Sequence, residues 1–228
     1  MVLRERYDSN SYIKYLREAG VRIGEHTTIY RPLKTYIDMT RPYMIEIGKM
    51  VKITEGVTIL THGFDWSVVN GLYGDILGSA GKVTIGDNVF IGMKATILKG
   101  VTIGNNCIIG ANSLVNHDVP DNSVVGGIPA RVLCTIDEYA ERQRENQEYE
   151  AKQMAVEYKK VYKKRPPLEE FSEFFWLFDE AKNEEFSSGA FDAMMNLNGN
   201  KEKAYKLYHT RTRKFSDYQS FLDWCYNE

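Results

Sequence analysis

From residue 85 to residue 120 the chain reads IGDNVF, IGMKAT, ILKGVT, IGNNCI, IGANSL and VNHDVP without interruption. Every sixth residue is a bulky aliphatic: Ile85, Ile91, Ile97, Ile103, Ile109 and Val115. Four places after each stands a smaller or slimmer side chain: Val89, Ala95, Val101, Cys107, Ser113 and Val119. A period of six fits neither the 3.6 of a helix nor the 2 of an alternating strand, but it suits short strands broken by a turn at each repeat. Three such hexads can close one triangular coil. The aliphatic column then points inward and stacks on itself from coil to coil, burying roughly 1.5–3 kcal/mol of side chain per position. Gly86, Gly92, Gly104 and Gly110 follow the aliphatic residue and are expected to ease a turn that a Cβ would strain.

The same phase extends backwards through IGKMVK, ITEGVT and ILTHGF from Ile47, and more weakly through IGEHTT from Ile23. Between the two blocks, residues 63–82 leave the period. They read as a loop extruded from the prism without regular structure of its own, rich in glycine and carrying Phe64, Trp66 and Tyr73. Long loops of this kind are more often functional than decorative. At the start of the chain, Tyr7, Tyr12, Ile13 and Leu16 suggest a short helix within residues 1–20 that covers the first coil.

After Leu133 the composition changes, and residues 135–228 read as an α-helical appendage. Thr135 with Glu138, and Ser216 with Gln219, have capping-box spacing. Pro166 and Pro167 should break a charged helix, about residues 137–164, from a second one bearing Leu168, Phe171, Phe174, Phe175 and Phe178. Tyr218, Phe221, Leu222 and Cys225 repeat the helical stripe. Core packing is the expected role of these aromatics. The organisation is thus a helical cap (1–20), a repeat domain (21–134) and an appendage (135–228).

The full 228 residues carry 29 Lys and Arg against 31 Asp and Glu, so no overall basic field exists to gather nucleic acid. The first twenty residues are charged every few positions and no later run is long enough to span a bilayer, so a cytoplasmic protein without an integral membrane segment is expected. Cys107, Cys134 and Cys225 are widely spaced and read as reduced thiols.

The closing coil, GANSLVNHDVPDNSVVGGIPARVL at residues 110–133, together with the hexads before it, resembles the hexapeptide-repeat acyltransferases. ILTHGFDW at residues 59–66 is similar to the segment that carries the catalytic histidine in the galactoside, maltose and xenobiotic acetyltransferases. The resemblance implies a mainly β fold, a left-handed parallel β-helix, and a homotrimer with active sites between neighbouring prisms. It implies acetyl-CoA as donor and, as acceptor, a hydroxyl or amine of a sugar or glycan building block, in a polysaccharide pathway. It also implies site residues: His62 as general base, the backbone N–H of Met93 as oxyanion donor, and Phe90, Ala111, Asn116, His117 and Arg131 along the coenzyme A arm. Asp65 and Trp66 would face the acceptor. His117 replaces the lysine usual in that pattern, and a neutral imidazole is a poorer phosphate partner.

Acyl transfer needs a base for the acceptor's proton, donors for the oxyanion and an acid for the leaving thiolate, and one imidazole can serve both proton roles. Cys107 invites an acyl-enzyme, but it falls in the inward column, where a thiol lacks a base, so direct transfer in a ternary complex is expected. A serine O-acetyltransferase, an antibiotic acetyltransferase and a non-catalytic scaffold share the architecture. No metal is expected, because His26, His62, His117 and His209 are isolated and the paired histidines of a γ-class carbonic anhydrase are missing.

Overall fold

In the computed structural model, which describes residues 5–179 and 186–227, a strand recurs at almost every hexad. The first half of the repeat domain contains β1 (Arg22–Ile23), β2 (Thr28–Ile29), β3 (Tyr36–Ile37), β4 (Ile45–Ile47), β5 (Lys52–Ile53) and β6 (Thr58–Ile59). The second contains β7 (Val83–Ile85), β8 (Phe90–Ile91), β9 (Thr96–Ile97), β10 (Thr102–Ile103), β11 (Ile108–Ile109), β12 (Leu114–Val115), β13 (Ser123–Gly126) and β14 (Arg131–Thr135). They form three sheets, ordered β1-β4-β7-β10, β14-β13-β11-β8-β5-β2 and β12-β9-β6-β3. All pairings are parallel except that of β13 with β14.

The register carries the hexad into space. Ile85 pairs with Ile103, Ile91 with Ile109 and Ile97 with Val115, so three hexads make one coil and each aliphatic sits on its equivalent. Both columns read from the sequence are buried, Cys107 and Ser113 included. The first coils stack in the same way, Ile47 on Ile85, Ile53 on Ile91 and Ile59 on Ile97, with residues 63–82 leaving the coil between them.

The glycines act differently from the sequence expectation. Positive φ falls on Asn88, Asn106 and Asn122, at 56°, 55° and 58°, not on Gly86, Gly92, Gly104 or Gly110. The asparagines form a ladder, Asn88 Nδ2 donating to Asn106 Oδ1 and Asn106 Nδ2 to Asn122 Oδ1, each at 2.9 Å. What requires glycine is close approach of the next coil: a Cβ on Gly92 would lie 2.5 Å from Ala111 N, and one on Gly104 2.6 Å from Asp121 N. Gly104→Ala is therefore expected to destabilise the protein by about 1–3 kcal/mol through overpacking against backbone, visible as a lowered Tm.

At the start of the prism, α1 (Ser9–Glu18) is capped by Asp8, whose carboxylate accepts from Ser11 N–H at 2.9 Å. It buries Tyr12, Ile13 and Leu16 in the same core as the coil aliphatics. Tyr7 does not join them: it precedes the helix and is 85% exposed.

The loop expectation also needs correction. Residues 63–82 contain a helix, α2 (Trp66–Tyr73), ended by Gly74 at φ 79°, a left-handed stop that the sequence analysis read only as loop glycine.

Two compact units divide at Met1–Ala140 and Glu141–Glu228. The helix α3 (Ile136–Tyr162) starts on the Thr135 and Glu138 capping box, with Thr135 N–H donating to Glu138 Oε2 at 2.8 Å and Glu138 N–H to Thr135 Oγ1 at 3.2 Å. Beyond Pro166 and Pro167 the aromatic stretch is not one α-helix. It forms two 3-10 turns, Leu168–Phe171 and Phe175–Leu177, which still bury Phe171, Phe175 and Phe178. The spacing predicts which rings are buried, but ring packing rather than a continuous ladder fixes the backbone. Then follow α4 (Gly189–Met195), α5 (Lys201–Thr210) and α6 (Tyr218–Tyr226). The cap of α6 is one residue later than the sequence spacing indicated, Asp217 with Ser220 in place of Ser216 with Gln219. The residues between 180 and 185 lie outside the described ones. Among the described residues no helix is long and apolar enough to cross a membrane.

Candidate active site

One edge of the prism is made by the corners between the sheet of β3, β6, β9 and β12 and the sheet of β1, β4, β7 and β10. Residues 38–40, 60–62, 98–100 and 116–118 occupy it in successive coils. His62 leaves the coil here, at the base of the extruded segment. That base is a short two-stranded neck: His62 bridges Ala80, Gly63 N–H donates to Ser79 O at 3.1 Å and Gly81 N–H to Thr61 O at 2.9 Å. A coil on one side and a neck on the other fix the backbone of His62.

Its ring is fixed by a residue the sequence analysis missed. His62 Nδ1 lies 2.5 Å from Asp38 Oδ2, and the Asp38 side chain is fully buried while that of His62 is 29% exposed. Asp38 is surrounded by donors. Thr61 N–H and Thr61 Oγ1 donate to Oδ2 at 3.0 and 2.5 Å, and Thr40 N–H and Oγ1 donate to Oδ1 at 3.0 and 2.7 Å. Burial alone would push the Asp38 carboxyl up, but the hydrogen bonds from Thr61 and Thr40 outweigh it and hold the group well below the usual carboxylate range. An ionised carboxylate only accepts, so Nδ1 carries the proton towards Asp38 and Nε2 is the nitrogen left to act as a base. Asp38 reaches this place because Ile37 pairs with Ile59, which sets residue 38 one coil from residues 60–62.

The other expected site residues fall into two groups. Asn116 and His117 lie exposed on the His62 edge, two coils along. Met93 and Ala111 lie on a different edge, between the sheet of β8 and β11 and the sheet of β9 and β12, with exposed Phe90 on the face that leads to it. Arg131 opens β14 beside Gly126 and donates to Ala130 O at 2.8 Å. Gly92 and Lys94 N–H donate to Ile109 O and Glu55 O at 2.8 and 3.0 Å, whereas among the described residues no acceptor is paired with the N–H of Met93 between them. An exposed, unengaged N–H on rigid backbone is what an oxyanion donor requires. Within one chain, then, the imidazole and this N–H stand on separate edges.

Asp65 stands at the N-cap of α2 but makes no capping hydrogen bond, and its carboxylate is folded against Gly63. Trp66 packs edge-on against Phe64, ring centroids 5.0 Å apart. Cys107 is buried, its thiol pKa pushed up by burial, with Sγ directed at the carbonyl oxygens of Asn105 and Pro120. That environment gives no thiolate. Among the described residues no group of three or more His, Cys, Asp or Glu could hold a metal ion.

Against known proteins, a family profile described as "Bacterial transferase hexapeptide (six repeats)" matches residues 82–117. Protein CapG of Staphylococcus aureus is 38% identical over 147 residues, covering 64% of this chain and 84% of that protein. The chain belongs to the hexapeptide-repeat acetyltransferases. Within this family the galactoside O-acetyltransferase of Escherichia coli (strain K12) is 38% identical over 96 residues, 42% of this chain and 46% of that enzyme. A solved hexapeptide-repeat-containing acetyltransferase, VCA0836 of Vibrio cholerae, aligns at 27% identity and a TM-score of 0.44, covering 57% of this chain and 82% of that one. As a hexapeptide-repeat acetyltransferase, the chain is an acyl-transferring enzyme whose repeat forms a parallel β-helix.

Proposed function

We propose that this hexapeptide-repeat acetyltransferase moves an acetyl group from acetyl-CoA to a hydroxyl of a sugar or glycan building block, with His62 as general base held by Asp38. The observation that carries the reading is the pair itself: a buried, ionised carboxylate 2.5 Å from Nδ1 of a partly exposed imidazole, at the root of an aromatic, glycine-rich insertion. His62 Nε2 takes the proton as the acceptor oxygen attacks the thioester carbonyl, forming the C–O bond. Asp38 stabilises the imidazolium that results. The oxyanion accepts from Met93 N–H. As the C–S bond breaks, His62 returns the proton to the departing thiolate, and no acetyl-enzyme is formed.

Because His62 and Met93 stand on different edges, a complete site draws on two copies, one supplying the imidazole and the next the oxyanion donor. This favours a homotrimer, in which each triangular prism gives each neighbour one edge, and a left-handed coil as the family resemblance implies. The exposed apolar side chains of the insertion, Phe64, Val68, Leu72, Tyr73 and Ile76, suit cover by a neighbouring copy. Phe90, Ala111, Asn116, His117 and Arg131 would line the coenzyme arm, Asp65 and Trp66 the acceptor cleft, and the enzyme would work in the cytoplasm. The galactoside acceptor in the name of one relative supports the choice of a sugar.

Thiol release from acetyl-CoA, measured with and without a panel of glycosides on protein sized by light scattering, tests the reading. The expected result is a trimer that releases thiol only when coenzyme and glycoside are both present. A protein that binds neither is a scaffold and overturns it.

A further inference from the structure

Along the Met93 edge, successive corners are tied by backbone hydrogen bonds, Asn112 N–H to Met93 O at 2.8 Å and Lys94 N–H to Glu55 O at 3.0 Å. Each step is one coil, about 4.7–4.9 Å. Ala111 and Arg131, assigned above to the coenzyme arm, lie on coils to one side of Met93, so the part of the acceptor that does not react has the coils on the other side. There the corner is enlarged. Ile29 pairs with Ile53 and Ile37 with Ile59, so the eight steps from Ile29 to Ile37 fill the place that the six steps from Ile53 to Ile59 fill in the next coil. The surplus forms an arch: Arg31 takes φ 50° and the 3-10 turn Pro32–Lys34 follows. This arch and residues 6–9 border a cavity of about 390 Å³, on which exposed Tyr30 and Leu33 open.

The charges on the arch do not balance. Lys34 Nζ pairs with Glu55 Oε1 at 2.6 Å and Arg31 Nε lies 4.0 Å from Glu55 Oε2, while the Lys94 side chain packs where Gly56 has no Cβ. Two cations share one carboxylate, and Lys94 of the next coil packs beside it. The remaining charged groups of the cavity are occupied: Arg6 donates to Tyr12 Oη and Thr35 O, each at 2.8 Å, and Asp8 caps α1.

We infer that the acceptor is an acidic saccharide, whose carboxylate or phosphate docks on Arg31 and Lys34 at the arch while its hydroxyl reaches the reacting atoms one or two coils away. The separation, roughly 5–10 Å, is that between substituents on one sugar ring or two joined rings. This acceptor class rests on the function proposed above. Arg31 and Lys34 are specificity residues and touch no reacting atom.

The test compares matched acceptors: methyl galactoside, methyl galacturonide and a uridine-diphosphate-linked galactose. The native protein is expected to favour at least one acidic member by about tenfold or more in kcat/KM, mainly through KM, with the preference shrinking as ionic strength rises. In Arg31→Glu/Lys34→Glu the preference should collapse while transfer to the neutral galactoside persists. Preference for the uronide alone identifies a carboxylate ligand; preference for the nucleotide sugar alone identifies a phosphate. Equal use of neutral and acidic acceptors by the native protein, or a preference that the double variant retains, overturns the inference. If the double variant fails to fold, Lys34→Gln and the salt titration of native protein carry the same comparison. Equilibrium binding of the three glycosides to His62→Ala needs no turnover, so a native protein without transferase activity sinks the proposed function alone, and equal binding in that assay sinks the arch.

Discussion

Replacing His62 by alanine is expected to lower kcat by roughly 10²–10⁴-fold, the range that a positioned general base contributes. The ring is the one imidazole held against a buried carboxylate among the described residues, and in the proposed mechanism its removal takes both the acceptor's proton sink and the thiolate's proton source. The KM for acetyl-CoA should change little, because the arm of the coenzyme is proposed to run along Ala111, Asn116 and His117. Cys107→Ala is the control. Its thiol is buried and hydrogen-bonded to carbonyls, so that variant should keep most of its activity. Comparable turnover from the two variants would remove His62 from the mechanism.

Asp38→Asn should cost at least as much turnover, on the order of 10³–10⁴-fold, as loss of a carboxylate that sets a catalytic tautomer does in other Asp–His pairs. The amide can accept through one oxygen only, whereas both Asp38 oxygens accept, Oδ1 from Thr40 and Oδ2 from Thr61 and His62. Either orientation turns an NH₂ towards existing donors. The fold should lose stability as well, about 1–3 kcal/mol for each buried donor left unsatisfied. A pH dependence separates the two effects. Asp38 is held below its usual range, so its contribution is complete above the unfolded value, near pH 4, and is lost as pH falls through the lower folded value. Denaturant unfolding of native protein and Asp38→Asn should therefore give a gap at pH 7 that narrows well below pH 4. A gap independent of pH would mean that the carboxylate is not ionised in the folded protein. For catalysis, the signature is a fall in kcat with KM for acetyl-CoA preserved.

The unseen role of Asp38 has a countable cause. In the regular coils a residue's neighbour along the prism is eighteen positions away, as Ile85 is from Ile103. Counting eighteen back from Ile59 lands on Arg41, but the partner is Ile37, because the corner between β3 and β4 is lengthened by the 3-10 turn Pro42–Met44. Periodicity fails where the chain departs from it, and Asp38 and Thr40 sit there. The helix α2 was missed for a related reason, since eight residues with no buried face leave no amphipathic stripe to read.

Where the hexads are unbroken, the sequence by itself determined the coil, its inward columns and the place where His62 leaves it, because a stack of identical turns converts spacing along the chain directly into contact in space. Tertiary structure alone decided that Asp38, held by Thr40 and Thr61, meets that imidazole and that Met93 faces away on another edge. Those relations depend on how many surplus residues each corner absorbs, and on the close approach of one backbone to the next at glycine. No local pattern of residue types encodes either quantity.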